Sequence, residues 1–265
     1  MDLEVSVFGS RRSESGLAIP GDTTIFHVTH WKAGSQWIRG VLEDAFADRT
    51  VAAESFETQV LVQPIQAGKI YTCVYVSRQE FNAIRLPGKS HRMVVIRDLR
   101  DTLVSGYFSL LYSHTVNPSV QKLRPVLATL NGEEGLLYLM EAWLAGSALI
   151  QRSWLEAGEP VVQLESFMSS PVETWERAFN LWGIGVAREK IERLLQKHAF
   201  TNYTKGRSPG QEDIQSHYRK GVAGDWRQYF TPRVSERFKV LYGDLLVLAG
   251  YERDSSWVCP GEAAL

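Results

Sequence analysis

Cysteine is scarce in this chain of 265 residues, which has only Cys73 and Cys259. The two lie far apart and lack the close spacing of metal ligands, which argues against a disulfide framework and against a zinc site. Such usage is typical of a reducing compartment. We therefore expect a cytoplasmic protein that holds no metal ion.

An excess of one charge and a long apolar run are also missing. The formal net charge is −1, which predicts no general affinity for nucleic acid or for an anionic membrane. No apolar stretch reaches the roughly 18 residues of a membrane span, and the acidic residues 1–4 do not continue into a signal-peptide pattern. A polyanionic ligand would have to be met by basic side chains placed locally.

The chain does have enough length and apolar content, 44% of its residues, for one large domain with a core. Short apolar runs predict buried strands at residues 24–29, 70–76, 93–96 and 161–164. Helical patterns between the strands predict an α/β fold with a central parallel β-sheet flanked by helices. We interpret 51–66 as irregular and expect a single domain over 1–265, in which 1–22 form a partly mobile arm.

The first informative stretch joins the strand at 24–29 to a helix. Its turn carries Lys32 and Gly34, and Ser35 is predicted to cap the helix that follows. Backbone N–H groups and the helix dipole converge at such a helix start, so the turn predicts an anion site. The common phosphate loop G-x-x-x-x-G-K-[ST] is absent, because this lysine precedes its glycine. An ordinary turn with a solvated lysine is the alternative interpretation.

A second stretch follows the strand at 93–96. Arg97 comes first, Asp101 is predicted to start a helix, and Ser105 lies about one turn into it. A basic residue at the carboxyl end of a buried strand points into the ligand crevice of an α/β fold. A guanidinium and a hydroxyl suit a phosphate group. The alternative is a surface ion pair between Arg97 and Asp101, which would contribute little.

The third stretch covers residues 218–231, which read Y-R-K-G-V-A-G-D-W-R-Q-Y-F-T. It offers Arg219 to an anion, with help from the backbone N–H groups of Lys220 and Gly221, and its glycines allow the chain to wrap closely around one. Thr231 is predicted to cap a final helix that begins with Pro232.

Together the three stretches resemble the sulfotransferases that use 3′-phosphoadenosine 5′-phosphosulfate (PAPS). The segment K-A-G-S-Q-W at 32–37 is similar to the family's 5′-phosphosulfate loop, roughly P-K-S-G-T-T-W. Arg97 and Ser105 match its 3′-phosphate motif, and 218–231 resemble its R-K-G-x-x-G-D-W signature. The resemblance implies the sulfotransferase fold, which is similar to that of P-loop kinases. The donor-binding residues that it implies are Lys32, Ala33, Gly34, Ser35, Gln36, Trp37, Arg97, Ser105, Phe200, Tyr218, Arg219, Lys220 and Gly221.

The resemblance also implies a reaction. A sulfuryl group would pass from PAPS to a hydroxyl or amine of a small-molecule, lipid or glycan acceptor, leaving 3′-phosphoadenosine 5′-phosphate (PAP). Lys32 would stabilise the leaving phosphate, and no metal is required. Where the cytosolic branch of the family has a catalytic histidine, this chain has Ser77 and Arg78. The candidate bases are therefore Glu54, Glu57 and His114, the last in a loop similar to one that borders the acceptor pocket.

Two other functions stay open from the sequence. A catalytically silent module that binds PAPS or PAP would explain the missing histidine, although such a module would not need Lys32. A P-loop nucleotide kinase would need a lysine after the glycine and an aspartate for Mg²⁺ in register, and the sequence offers neither.

Overall fold

The computed structural model describes residues 23–51 and 59–258. Within these ranges a sheet of five parallel strands has the order β2-β3-β1-β4-β5. The strands are β1 (Thr24–Val28), β2 (Thr50–Val51), β3 (Ile70–Val74), β4 (Ser90–Ile96) and β5 (Val161–Gln163). The predicted arm at 1–22 lies outside the described residues.

Helices occupy most of the remaining described chain. They are α1 (Ser35–Ala45), α2 (Gln59–Val62), α3 (Arg78–Asn82), α4 (Leu99–Phe108), α5 (Pro118–Leu127), α6 (Gly132–Ala142), α7 (Leu144–Glu156), α8 (Leu164–Ser169), α9 (Pro171–Leu181), α10 (Arg188–Lys197), α11 (Phe200–Tyr203) and α12 (Pro232–Leu248). A π-helical turn (Ser109–Ser113) extends α4, and a 3₁₀ turn (Asp225–Gln228) precedes α12. In this part of the chain, no helix is both long and apolar enough to cross a membrane.

Both faces of the sheet are covered by helices. Successive side chains of a strand point to opposite faces: Ile25 joins a core cluster with α1, α9 and α10, whereas Phe26 joins one with α3 and α7. The central strand β1 is buried at every position. Such burial on both faces explains the continuous apolar runs of the sequence. The predicted α/β class with a parallel sheet and flanking helices is confirmed.

A third core cluster lies between α4, α5, α6, α7 and α12. Close approach at two glycines sets the packing of α4 against α6. A Cβ atom on Gly106 would lie 2.2 Å from the Trp143 ring, and one on Gly135 would lie 2.5 Å from the Tyr107 ring. Each ring therefore fills the space that a side chain on the facing glycine would need.

Several local predictions were wrong at the ends of elements. Ser35 is the first residue of α1, and Gly34 is its N-cap, with a left-handed φ of 75°. Asp98 caps α4 by accepting from the Arg100 N–H, so Asp101 does not start that helix. Strand β2 (Thr50–Val51) reaches one residue into the segment 51–66, which is irregular in our sequence interpretation. The cap of α12 by Thr231 is confirmed.

Candidate active site

The carboxyl ends of β1, β3, β4 and β5 open onto a cavity of about 1570 Å³. In parallel α/β sheets, ligands bind at this edge. The predicted donor-binding residues that line the cavity are Lys32, Gly34, Ser35, Gln36, Trp37, Arg97, Ser105, Phe200, Tyr218, Arg219, Lys220 and Gly221. Ala33, the other predicted residue, belongs to the same loop but is fully buried and does not line the cavity. Residues 32–37 and 218–221, which lie far apart in the sequence, thus meet in one place.

The loop after β1 adopts backbone conformations that favour glycine. Lys32 has a φ of 65° and Gly34 one of 75°, in the left-handed region that costs a residue with a Cβ. A Cβ on Gly34 would also lie 2.5 Å from Leu164 Cδ1. The first turn of α1 leaves its N–H groups without partners inside the helix. Since Ser35, Gln36 and Trp37 line the cavity, that turn presents a partial positive charge to it.

Lys32 has an unusual acidity for a lysine. Burial, together with the positive charges of Arg97 and Arg219, lowers its pKa to about 7. The side chain still lines the cavity. Removal from water and neighbouring cations both disfavour the charged ammonium. An anion in the cavity would therefore restore the charge on Lys32.

His30 joins the ends of β1 and β4. The Arg97 backbone N–H donates to His30 Nε2 at 3.3 Å, and His30 Nδ1 lies 3.0 Å from the Trp31 carbonyl oxygen. Because Nε2 accepts, Nδ1 carries the proton and donates it. Burial lowers the pKa of His30 to about 4, so the ring stays neutral. His30 therefore serves to hold the Lys32 loop against Arg97.

Arg97 stands between the first loop and α4. Its Nη1 donates to the Lys32 carbonyl oxygen at 2.8 Å, and its Nη2 lies 3.9 Å from the Asp101 carboxylate. Asp101 is buried and accepts the backbone N–H groups of Gly224 and Trp226 at 2.6 and 2.9 Å. The ion pair considered from the sequence is present, but it is largely buried and does not lie at the surface. Asp101 also ties α4 to the segment that follows Arg219.

Arg219 is already neutralised by acidic side chains. Its guanidinium forms short ion pairs with Glu212 and Asp225 and donates to Tyr229 Oη at 3.2 Å. Lys220 Nζ bonds to the other Asp225 oxygen at 2.6 Å. The sequence pattern indicated the two cations but not the carboxylates that hold them. An anion that bound Arg219 would have to compete with Glu212 and Asp225.

Aromatic rings line the far end of the cavity. Gly221, with a φ of 67°, packs on the Phe200 ring so closely that a Cβ would lie 2.6 Å from it. Tyr218 stacks on Tyr203 with ring centroids 4.8 Å apart. Trp37 Nε1 donates to the His198 carbonyl oxygen at 2.8 Å. These contacts fix flat apolar faces beside the basic groups, an arrangement suited to a heterocyclic ring.

A family model described as the sulfotransferase domain matches residues 87–250, more than half of the chain. The chain belongs to the sulfotransferase family. Two curated relatives from Cavia porcellus, a 3-beta-hydroxysteroid and a 3-alpha-hydroxysteroid sulfotransferase, are each 23% identical to it. These alignments cover 87% of this chain and 85% of either relative.

Solved structures share the fold of this sulfotransferase. Mouse sulfotransferase SULT7A1 complexed with PAP has a TM-score of 0.59 at 16% identity, and the match covers 86% of this chain and 89% of that one. Retinol dehydratase in complex with androsterone and PAP has a TM-score of 0.55 at 14% identity, covering 90% and 83%. The predicted sulfotransferase fold is confirmed.

The candidate bases of this sulfotransferase fall in different places. His114 lines the cavity, and its Nδ1 lies 2.9 Å from the Thr115 carbonyl oxygen. Glu54 and Glu57 lie outside the described residues. At the position of the missing histidine, Ser77 caps α3 and Arg78 pairs with Glu159. Neither of these two residues lines the cavity.

Sequence reasoning missed His217, which also lines the cavity of this sulfotransferase. Its ring centroid lies 6.4 Å from that of His114. Its only sequence signal is its position two residues before Arg219. Among residues 23–51 and 59–258, no group of three or more His, Cys, Asp or Glu side chains is placed to hold a metal ion.

Proposed function

We propose that this sulfotransferase takes PAPS as its donor and passes the sulfuryl group to a hydroxyl, or an amine, of a small-molecule acceptor. The observation that carries the proposal is the convergence of Lys32, Arg97 and Arg219 on one cavity beside the first turn of α1. Lys32 lies close enough to both arginines for their charges to lower its pKa. Three cations and a helix N-terminus match a donor that is anionic at both ends.

The basic and aromatic residues that line the cavity favour one direction for the donor. Its phosphosulfate would lie at residues 32–37, where Lys32 and the first N–H groups of α1 face the cavity. Its 3′-phosphate would meet Arg97, Ser105 and the segment 219–221. Its adenine would lie among the aromatic rings of Trp37, Phe200 and Tyr218. Mouse SULT7A1 and retinol dehydratase, which share this fold, are both in complex with PAP, and this supports a nucleotide of the same kind here.

Transfer requires charge to move onto the 5′-phosphate of the donor. As the sulfur–oxygen bond to this phosphate breaks, its electron pair stays on the phosphate oxygen. Lys32, recharged by the bound anion, would stabilise that oxygen, while backbone N–H groups hold the phosphosulfate. A sulfuryl group carries less negative charge than a phosphoryl group, so Lys32 and the backbone N–H groups would be enough to stabilise the charge that develops during transfer.

The acceptor side of the cavity carries aromatic and apolar surface. Trp31 stacks on Tyr75 with ring centroids 5.5 Å apart, and both line the cavity with His114 and Val116. Flat rings of this kind suit a ring-bearing alcohol or phenol. The hydroxysteroids in the names of the two curated relatives are compounds of that class.

The direct test is incubation of the protein with PAPS and a panel of 3β- and 3α-hydroxysteroids, phenols, a fatty alcohol and simple glycosides. Mass spectrometry would look for the gain of one SO₃ group. We expect sulfated product from at least one ring-bearing alcohol or phenol. Tight PAP binding without any product would favour the silent module instead, and no PAP binding would contradict the proposal.

If Arg219 holds the 3′-phosphate, PAP should bind more tightly than AMP, which lacks that phosphate. Arg219→Ala should weaken PAP binding by about 1.5–3 kcal/mol, the contribution of a charged hydrogen bond, with little effect on AMP. Glu212→Gln should strengthen PAP binding, because it removes a carboxylate that competes for the same guanidinium. Calorimetry measures both changes in PAP affinity. Glu236→Gln is the matched control, because Glu236 forms an ion pair with Lys239 at the surface of α12. Equal affinity of wild type for PAP and AMP would disprove the assignment.

When PAP binds near pH 8, the protein should take up protons, and Lys32 should be the group that is protonated. Without a bound anion the pKa of Lys32 is about 7, so Lys32 is neutral in most molecules at pH 8. A bound anion raises that pKa again. PAP affinity should therefore fall as pH rises above 7. Calorimetry in buffers of different ionisation enthalpy measures the uptake, which Lys32→Ala should abolish. Identical uptake in the variant would assign the proton to another group.

A further inference from the structure

His217 lines the cavity, and both of its ring nitrogens are free of hydrogen bonds to the described part of the chain. Of the other two histidines that line the cavity, His198 bonds through both ring nitrogens, to Asp44 and Tyr203, whereas His114 bonds only through Nδ1, to the Thr115 carbonyl oxygen, and keeps Nε2 free among the residues that the structure describes. His217 therefore offers a nitrogen lone pair to whatever enters.

His217 lies on the wall of the same cavity as Lys32 and His114, with its ring centroid 6.4 Å from that of His114. Partial burial, then the positive charge of Lys32, then His114 lower the pKa of His217. The ring is exposed to the cavity and is neutral at physiological pH. It can therefore accept a proton there.

The surroundings also hold the His217 ring in place. Tyr218 packs edge-on against it, with centroids 5.5 Å apart and an interplanar angle of 84°, and Tyr218 in turn stacks on Tyr203. The Arg207 guanidinium bonds to the carbonyl oxygens of Tyr218 and Arg219 at 2.8 and 2.9 Å. The base and the proposed 3′-phosphate segment are consecutive in the chain, so donor binding would fix the ring further.

We propose that His217 is the general base of the reaction. This step rests on the function proposed above. The acceptor oxygen forms a bond to sulfur, the bond from sulfur to the 5′-phosphate oxygen breaks, and its electron pair stays on PAP. The acceptor proton passes to His217 and then to solvent through the open cavity. The negative charges of the bound donor outnumber the one positive charge that Lys32 regains, which raises the basicity of the ring when the donor is bound.

The first test compares His217→Gln with His114→Gln and with His91→Gln, an exposed histidine on β4 that does not line the cavity. Single turnovers with radiolabelled PAPS would use phenols of graded acidity and a 3β-hydroxysteroid. His217→Gln should slow transfer to the weakly acidic steroid alcohol by about 10²–10⁴-fold. The loss should shrink for the most acidic phenols, which need no base. Imidazole should partly rescue His217→Ala, since the cavity is open.

The pH dependence gives a readout that a structural role would not change. The wild-type rate should rise with pH along an acidic limb that reports His217, and His217→Gln should lose this limb. Lys32, His114 and Tyr218 are the titratable groups around His217. A limb that persists in His217→Gln but disappears in His114→Gln would give the role to His114 and overturn the proposal.

A second measurement needs no acceptor. Histidine-selective isotope labelling, with His217→Gln to identify the resonance, would follow the imidazole of His217 by NMR while PAP is added. We expect its pKa to rise on PAP binding and that of His91 to stay constant. An unresponsive His217 in a protein that binds PAP by calorimetry would refute this placement alone. Absence of PAP binding would instead refute the proposed function.

Discussion

Lys32→Ala should lower the single-turnover rate of sulfuryl transfer by about 10²–10³-fold, or roughly 3–4 kcal/mol, the usual effect of removing one donor that stabilises a developing charge. The backbone N–H groups at the start of α1 can still hold the phosphosulfate without the ammonium. The contribution of Lys32 grows as charge collects on the leaving oxygen, and an interaction that strengthens in the transition state raises kcat. The affinity for PAP should fall much less.

The matched control for this variant is Lys205→Ala. Lys205 also has a left-handed backbone, with a φ of 54°, but it is exposed and does not line the cavity. Lys32→Arg should rescue the rate only in part, because a planar guanidinium does not replace a compact ammonium in a tight loop. An unchanged single-turnover rate in Lys32→Ala would remove this residue from the chemistry and favour the silent module.

Arg100→Met should lower the free energy of unfolding by about 3–5 kcal/mol, the usual cost of breaking a buried ion pair from one side. Arg100 is 2% exposed and pairs with Asp98 at 2.7 Å and with Glu252 at 2.6 Å. Its guanidinium also lies 4.0 Å from the centre of the Trp226 ring. Methionine keeps much of the apolar contact but leaves the buried carboxylate of Asp98 unpaired.

Urea unfolding followed by fluorescence and circular dichroism measures the loss. Arg227→Met is the matched control, because Arg227 lies 4.6 Å from the centre of the same Trp226 ring but is exposed. We expect the control to change stability by less than about 1 kcal/mol, as surface substitutions usually do. Equal stability of the two variants would show that the Asp98–Arg100–Glu252 group contributes little.

The sheet could be predicted from the sequence because its inner strands are buried on both faces. Ile70–Val74 is buried at every position and therefore appears as a continuous apolar run. Strand β2 has two half-buried residues, too few to produce a recognisable period. The cap at Gly34 was missed because serine is a common N-cap, whereas a left-handed glycine in that role depends on the loop geometry.

The candidate site could be predicted only where local sequence carries its chemistry. Lys32, Arg97 and Arg219 come from segments whose spacing is informative, and all three line the cavity. The ion pairs of Arg219 with Glu212 and Asp225 are side-chain contacts that no periodicity encodes. His217 is a lone histidine in a polar segment, and only its position in the cavity beside the His114 ring distinguishes it.

The two glycine contacts between α4 and α6 limit how the cavity can be redesigned. Ser105, on the cavity wall, directly precedes Gly106, whose other side meets the Trp143 ring with no space for a methyl group. Any larger residue at 106 would drive α4 away from Trp143 and move Ser105 with it. A library intended to change acceptor preference should therefore vary the Trp31 and Val116 side of the cavity. Positions 106 and 135 should keep glycine, since a larger residue at either position would displace α4 and with it the cavity wall at Ser105.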